Sequence, residues 1–242
     1  MRRARLWRIP LEADADPWRA ALALRGDERP FALAGRWAGG GAVLGSCPVR
    51  VAAPGDDPFA TLAGTEPVEG AAAAPAGTFG GGWVGFLGYR LGARLEPVPP
   101  GPPRPVPLPD FALAFYDHVL RRDAGGRWWF EALWTPGRDG PRRARLRDLG
   151  ARLAGLGAPP APVAELGPFA PVAPGAAGHV AAVAACRERI AAGELFQANL
   201  CLRLEGSWRG EPEALYARAA EALRPDRAAL VAGPWGALVS LS

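Results

Sequence analysis

The 242-residue sequence contains no lysine, so all 28 of its basic residues are arginine, and alanine, glycine and proline are abundant. A coding bias toward arginine and alanine accounts for this pattern, so the basic isoelectric point near 9.5 is poor evidence for nucleic-acid binding. Arginines cluster between residues 142 and 152, but no aromatic residues alternate with them as in a single-strand binding groove. We interpret that cluster as the solvent-exposed face of a helix and predict no nucleic-acid partner.

Histidine and cysteine are also scarce, with two and three residues respectively. Cys47, Cys186 and Cys201 are odd in number and lack paired spacing, so neither a disulfide framework nor a metal-binding pattern can be assembled. The N-terminus lacks an apolar run long enough for a signal peptide, and no segment reaches the roughly 18 to 20 apolar residues that span a membrane. These absences predict a cytoplasmic protein with reduced thiols and no membrane association.

Residues 179–205 carry the clearest local pattern. Apolar residues recur at helical spacing from Val180 to Ile190, and Gly193 follows where a left-handed residue would end the helix. From Leu195 to Leu204 the residues alternate between apolar and polar, which predicts a half-buried strand. The polar face of that strand carries Gln197 and Asn199, whose amides either satisfy neighbouring backbone groups or face a functional pocket.

The remaining segments predict an α+β fold of antiparallel sheets with packed helices. Strand and turn patterns fill residues 1–157. Two hairpins are predicted there: one is joined through the glycines at 39–41, and in the other a strand over 111–123 turns at 124–126 into a second strand, while a further pair of strands about 234–236 closes the sequence. The glycines of a glycine-aromatic segment at 80–92 are interpreted as positions where a strand runs close to another backbone. We interpret the proline-dense stretch at 96–110 as a crossing between two sheets and residues 139–157 as a basic helix. Residues 158–178 are rich in proline and alanine and are predicted to be a linker. Residues 179–242 form the second region, where Leu215, Ala219, Ala222 and Leu223 would give one helix an apolar side. His118 is interpreted as a structural hydrogen-bonding residue.

Four motifs together resemble one family. These motifs are, in chain order, GGGWVGFLGYRLG at 80–92, PLPDFALAFYDHVLRRD at 107–123, the helix that ends in AAGELFQANL, and GALVSLS at 236–242. Chorismate-binding enzymes carry similar motifs in the same order. The resemblance covers aminodeoxychorismate synthase component I and the related anthranilate synthase component I. It implies that residues 1–157 correspond to the N-terminal β-rich region and that 179–242 begin the catalytic domain. The resemblance also implies that the carboxylates and magnesium ligands lie beyond Ser242, so no catalytic residue is expected in this chain, which is interpreted as a fragment.

The implied reaction converts chorismate and ammonia to 4-amino-4-deoxychorismate for p-aminobenzoate and folate synthesis. A glutamine amidotransferase subunit would supply the ammonia, and Mg²⁺ would be the cofactor of the complete enzyme. We prefer this branch because the segments GRWAGGGAVLGSCPVRV and GGGWVGFLGYRLGARLE are similar to it. The alternatives are anthranilate synthase component I, which serves tryptophan synthesis, and a non-catalytic binding module that keeps only this region.

The resemblance also assigns candidate site residues. Gln197 and Asn199 would line the wall of the substrate pocket. Ser46 matches a serine that lies in an N-terminal pocket for tryptophan, and Pro225 falls in a run that lines the same pocket. However, Gly45 stands where the tryptophan-inhibited branch has an acidic residue, and residues 224–227 depart from the family's Asn-Pro-x-Pro-aromatic run. Both departures weaken the expectation of feedback inhibition.

Overall fold

The computed structural model describes residues 4–37, 39–64, 68–97, 99, 101, 103–135, 137–157 and 166–242. Residues 158–165 of the predicted linker therefore lie outside the described residues. The strands are β1 (Arg5–Leu11), β2 (Phe31–Gly35), β3 (Ala42–Gly45), β4 (Arg50–Val51), β5 (Gly82–Leu87), β6 (Phe111–Tyr116), β7 (His118–Arg122), β8 (Trp128–Trp134), β9 (Ala170–Pro171), β10 (Leu204–Glu205), β11 (Arg227–Gly233) and β12 (Gly236–Leu241).

The α-helices are α1 (Pro58–Ala63), α2 (Asp139–Ala154), α3 (Gly175–Ala191) and α4 (Pro212–Leu223), and short 3₁₀ helices cover Ala20–Leu24, Ala71–Ala73 and Tyr89–Arg94. Every helix in the described ranges is too short or too polar to span a bilayer. The chain divides into one compact unit built from residues 1–161 and 211–242 and another built from 162–210.

A seven-stranded antiparallel sheet forms the centre of the first unit, with strand order β1-β8-β7-β3-β2-β11-β12. The predicted hairpins β2–β3, β7–β8 and β11–β12 are all present. β11 pairs with β2, so a strand from the predicted second region completes a sheet begun near the N-terminus. The predicted domain boundaries at residues 157 and 179 stay a prediction. The compact units of the structure divide the chain at other positions.

The two faces of this sheet bury different partners because successive strand residues point to opposite sides. One face packs its Leu44, Leu120 and Leu230 against the 3₁₀ helix at Ala20–Leu24, α2 and α4. The other face packs Phe31, Val43, Val119 and Val231 against a second sheet of order β4-β6-β5. Burying each of these leucine or valine side chains contributes about 1.5 to 3 kcal/mol.

A bend at Asp117 carries the chain from the small sheet into the large one. The sequence indicated one continuous strand here, whereas the structure divides it into β6 before Asp117 and β7 after it. β5 and β6 are neighbours in the small sheet, so the proline-dense stretch joins two strands of one sheet. The predicted crossing between sheets is therefore wrong. Alternation along the strand cannot reveal which sheet each half joins, because the pattern is the same in both.

The glycine-aromatic segment forms β5, as a strand running close to a neighbouring backbone would require. A Cβ at Gly85 would lie 1.7 Å from the carbonyl oxygen of Ala112 in β6, which is far inside contact distance. The sequence-based interpretation of these glycines as close-approach positions is consistent with this geometry. Trp83 meets Phe115 of β6 edge-on, with ring centroids 5.5 Å apart.

Helix α4 presents a face other than the predicted one. Ala214, Tyr216, Ala217 and Ala220 are buried, whereas Leu223 is exposed. The predicted stripe through Leu215, Ala219, Ala222 and Leu223 is therefore wrong. Several residues of the buried face are alanines, whose small side chains give little hydrophobic signal in the sequence but let a helix approach a sheet closely.

The second unit contains α3 and a two-stranded pairing of β9 with β10. α3 ends as predicted, since Gly193 takes a left-handed conformation with φ of +78°. The predicted strand Leu195–Leu204 is wrong: only Leu204 and Glu205 form a strand, and Phe196 is fully exposed. A strand requires hydrogen-bonded neighbours, and among the described residues no strand pairs with 195–203.

Candidate functional site

Ser46 lies directly after β3 and is completely buried. Its hydroxyl donates a hydrogen bond to Oδ2 of Asp27 at 2.8 Å, and Nη2 of Arg145 donates to the serine oxygen at 2.6 Å. Arg145 also contacts Asp27 directly, and Arg152 reaches Oδ1 of Asp27 at 3.1 Å. Both arginines come from α2, so this cluster joins that helix to the loop before β2.

The electrostatics of the cluster keep Asp27 ionised. Burial alone would raise the pKa of Asp27, but the hydrogen bonds from Arg145 and Ser46, together with the charges of Arg145 and Arg152, hold it below its ordinary value. The carboxylate therefore acts as a permanent acceptor at neutral pH. Such a group is suited to holding Arg145 in place, not to exchanging protons.

His118 extends the same cluster to the bend between the sheets. Its Nδ1 lies 2.8 Å from Oδ1 of Asp117, and Nε of Arg145 donates to its Nε2 at 3.3 Å. Because Arg145 can only donate, Nε2 must be the acceptor and the proton of the neutral ring must reside on Nδ1. The ring also stacks on Phe130 at 5.8 Å. Both nitrogens are engaged, which agrees with the structural role expected for His118.

Asp117 is the acceptor on which the bend depends. Its Oδ2 receives Nη2 of Arg142 at 2.7 Å and Nη1 of Arg138 at 3.2 Å. Burial would raise its pKa, but the hydrogen bond from His118 and the charge of Arg142 outweigh burial and lower it. The prediction of one solvent-exposed arginine face on α2 is wrong for Arg142, which is buried. A helix pattern cannot show that a carboxylate from a distant bend faces one of its charged positions.

An apolar cleft of about 490 Å³ lies between the small sheet and the β11–β12 hairpin, and we call it the aromatic cleft. Arg29, Tyr116, Val231 and Trp235 are among the residues that line it. The hydroxyl of Tyr116 donates to the carbonyl of Arg29 at 2.7 Å, and burial raises the pKa of this phenol above its ordinary value. Nε1 of Trp235 is buried with no hydrogen-bond partner in the described part of the chain. Rings with one nearby cation suit a small planar molecule that carries an anionic group.

The predicted site residues occupy separate places. β2 pairs Phe31 with Gly45 at one end and Gly35 with Arg227 at the other, so Ser46 and Pro225 stand near opposite ends of that strand. Pro225 is half-buried, and neither of these two residues lines the aromatic cleft. Their sharing of a tryptophan pocket stays a prediction.

Gln197 and Asn199 are exposed in the second unit, outside any strand. The structure therefore shows no pocket wall formed by these two amides among its described residues. Their role in a substrate pocket also stays a prediction.

Sequence reasoning overlooked Glu131, a fully buried carboxylate in β8. Its Oε2 accepts the backbone N–H groups of Phe79 at 2.8 Å and Gly80 at 3.0 Å, while Oε1 accepts Nε of Arg8 at 3.0 Å. The carboxylate thus fixes the start of the glycine-aromatic segment. The available signal was an acidic residue within the apolar run WWFEALW, since a charge buried in a strand requires specific partners.

Magnesium requires a set of oxygen ligands, usually carboxylates with water. In the described ranges, no three histidine, cysteine, aspartate or glutamate side chains converge in a way that could hold a metal ion. The described residues therefore do not fit the implied Mg²⁺.

Comparisons with known proteins agree with this architecture. The model of the chorismate binding enzyme family matches residues 9–242. Anthranilate synthase component 1 of Streptomyces coelicolor is 32% identical over 196 residues, which cover 72% of this chain and 36% of that protein. The crystal structure of anthranilate synthase component I from Streptococcus pneumoniae TIGR4 has a TM-score of 0.50 at 18% identity, covering 96% of this chain and 51% of that one.

The mixed α+β fold with antiparallel sheets is thus the expected one, and it is shared with a protein of the anthranilate synthase component I type. The chain belongs to the chorismate binding enzyme family. It spans about a third of the curated relative and about half of the solved one.

Proposed function

We propose that this chain is part of a chorismate-converting enzyme of the anthranilate synthase component I type. The observation that carries the proposal is the 32% identity to a protein of that name over most of this chain. On this proposal, the enzyme uses chorismate and takes ammonia from a glutamine amidotransferase partner in the cytoplasm. Mg²⁺ would be held by residues of the whole protein outside those described here.

Aminodeoxychorismate synthase component I is the second candidate. The observation that favours it is Gly45, which stands beside Ser46 where the tryptophan-inhibited branch carries an acidic residue. The similarity of the β2–β3 and β5 segments to that branch points the same way. Under this candidate the product is 4-amino-4-deoxychorismate, which feeds p-aminobenzoate and folate synthesis.

The test incubates chorismate, ammonia and Mg²⁺ with the protein encoded by the complete reading frame that contains this chain. Anthranilate is detected by its own fluorescence, and aminodeoxychorismate by its conversion to p-aminobenzoate with an added lyase. Anthranilate as the product supports the first candidate, and p-aminobenzoate supports the second. Absence of chorismate consumption would contradict both and favour the non-catalytic binding module.

The 242-residue chain assayed alone is expected to consume no chorismate, because its described residues offer no magnesium site. Its control is the protein from the complete reading frame under the same conditions. Turnover by the chain alone would show that the catalytic groups lie within these 242 residues.

A ligand of the tryptophan type is proposed for the aromatic cleft, since the residues that line it include aromatic and aliphatic side chains together with Arg29. Titration of the chain with tryptophan and with tryptophan amide, which lacks the carboxylate, tests this assignment. Binding of tryptophan that is lost in Val231→Trp, which would fill the cleft, is the expected result. Binding unaffected by that substitution would place the ligand elsewhere.

A further inference from the structure

A second cleft, of about 340 Å³, lies where β4, β5 and β6 meet the start of α2, and we call it the arginine cleft. Arg50, Arg138 and Arg142 line it, and Asp117 is the one acidic residue among the described side chains of its wall. Three guanidinium groups thus face one carboxylate. This excess of positive charge within a concave surface attracts and concentrates anions.

Arg142 is the strongest sign of a ligand in this cleft. Its side chain is only 6% exposed, and one of its nitrogens, Nη2, donates to Asp117. Nε and Nη1 are buried and have no hydrogen-bond partner among the described residues. Leaving charged donors buried and unpaired costs stability, so such donors usually meet an acceptor.

The rest of the wall indicates what the acceptor belongs to. Trp83 and Phe115 line the cleft together with Val49 and Leu133. The guanidinium of Arg50 lies 5.1 Å from the ring centroid of Trp83 and 5.6 Å from that of Phe115. An apolar and aromatic wall beside unpaired guanidinium donors fits a flat ring bearing a carboxylate, because carboxylate oxygens accept charge-assisted hydrogen bonds from guanidinium N–H groups.

We propose that the arginine cleft binds a small aromatic carboxylate, with its carboxylate on Arg142 and its ring against Trp83 and Phe115. The cleft is distinct from the aromatic cleft, and no residue lines both. It is also separate from the predicted site residues Ser46, Pro225, Gln197 and Asn199, none of which lines it. The proposal does not depend on which chorismate reaction the whole protein performs.

Calorimetric titration of the 242-residue chain at low ionic strength tests the proposal with three probes. Benzoate carries the ring and the charge, benzamide carries the ring alone, and inorganic phosphate carries the charge alone. Saturable binding of benzoate, with benzamide and phosphate each at least about tenfold weaker, is expected because the charged hydrogen bonds and the ring contact both contribute. Equal binding of benzamide, or binding of phosphate without benzoate, would overturn the proposal.

Substitutions locate the site. Arg142→Lys keeps the charge but removes the guanidinium Nε and Nη1 donors, and it should weaken benzoate binding about tenfold or more. Arg50→Gln changes an exposed arginine at the mouth and should weaken it several-fold. Arg147→Gln is the matched control, since it removes an exposed charge from α2 away from the cleft.

If Arg142→Lys fails to fold, Arg50→Gln and Arg138→Gln decide the outcome, because both side chains are largely exposed. Benzoate affinity unchanged in these variants would refute the proposed site. The proposed site would also be refuted if Arg147→Gln weakened benzoate binding as much as Arg50→Gln and Arg138→Gln do, because binding would then depend only on net charge.

Discussion

Replacing Asp27 with asparagine probes the cluster that joins α2 to the loop before β2. The aspartate side chain is only 9% exposed and accepts hydrogen bonds from Ser46, Arg145 and Arg152. Asparagine keeps the shape but removes the charge and turns one acceptor into a donor. Breaking a fully buried ion pair costs about 3 to 5 kcal/mol. Arg152 is 38% exposed and Arg145 keeps Asp148 as a partner, so we expect a smaller loss, about 2 to 4 kcal/mol.

Urea unfolding of the whole chain followed by circular dichroism measures this loss. The matched control is Asp226→Asn, because Asp226 is 69% exposed and lies 3.5 Å from an exposed Arg36. An exposed pair of this kind should contribute less than about 1 kcal/mol. If Asp27→Asn unfolded at the same urea concentration as Asp226→Asn, the cluster would not stabilise the fold as argued.

The pH dependence gives a second test of the same substitution. The folded-state pKa of Asp27 lies below its value in the unfolded chain, so its contribution is complete above the unfolded value of about 3.9 and is lost as the pH falls through the folded value. Burial shifts the pKa of Glu213 in the opposite direction. The difference in the free energy of unfolding between wild type and Asp27→Asn therefore isolates the contribution of Asp27. This difference should stay constant from about pH 5 to 7 and shrink below about pH 4. A difference that stayed constant at acidic pH would contradict the assigned shift.

Three further substitutions test the packing. Gly85→Ala should lower the melting temperature by several degrees, because its Cβ would clash with the carbonyl of Ala112, whereas Gly92→Ala has open space and should melt like wild type. Glu131→Gln should cost about 1 to 3 kcal/mol, because the amide cannot accept the N–H groups of the glycine-aromatic segment and the N–H of Arg8 equally well. Phe196→Ser should leave the urea midpoint of the 242-residue chain unchanged, because this ring is fully exposed, and a clear loss would show that the ring is buried in solution.

The sequence alone determined the features that depend on short-range pattern. The β2–β3 and β7–β8 hairpins follow from alternating residues flanking glycine-rich turns, and α3 ends just before Gly193, which takes the left-handed conformation that closes a helix. The family was also accessible from sequence, because four motifs occur in one order along the chain. Such features require only neighbours in the chain.

The strand expected at 195–204 shows the limit of that approach. Its alternation is real, but a strand forms only where another strand supplies hydrogen bonds, and no described strand pairs with residues 195–203. The face of α4 was misjudged for a related reason: alanines bury closely against the sheet, while Leu223 extends into solvent. In both cases the neighbouring element decides which residues form a strand or become buried, and the local sequence pattern does not identify that neighbour.

The charged clusters were decided only by the tertiary structure. Asp27 accepts from Arg145 at a separation of 118 residues, Glu131 from the N–H of Phe79 at 52, and Asp117 from Arg142 at 25. Nothing local distinguishes the buried Arg142 from the exposed Arg143 beside it. A charged side chain becomes buried when the fold brings a complementary charge to it, and that long-range encounter depends on how the sheets and helices pack.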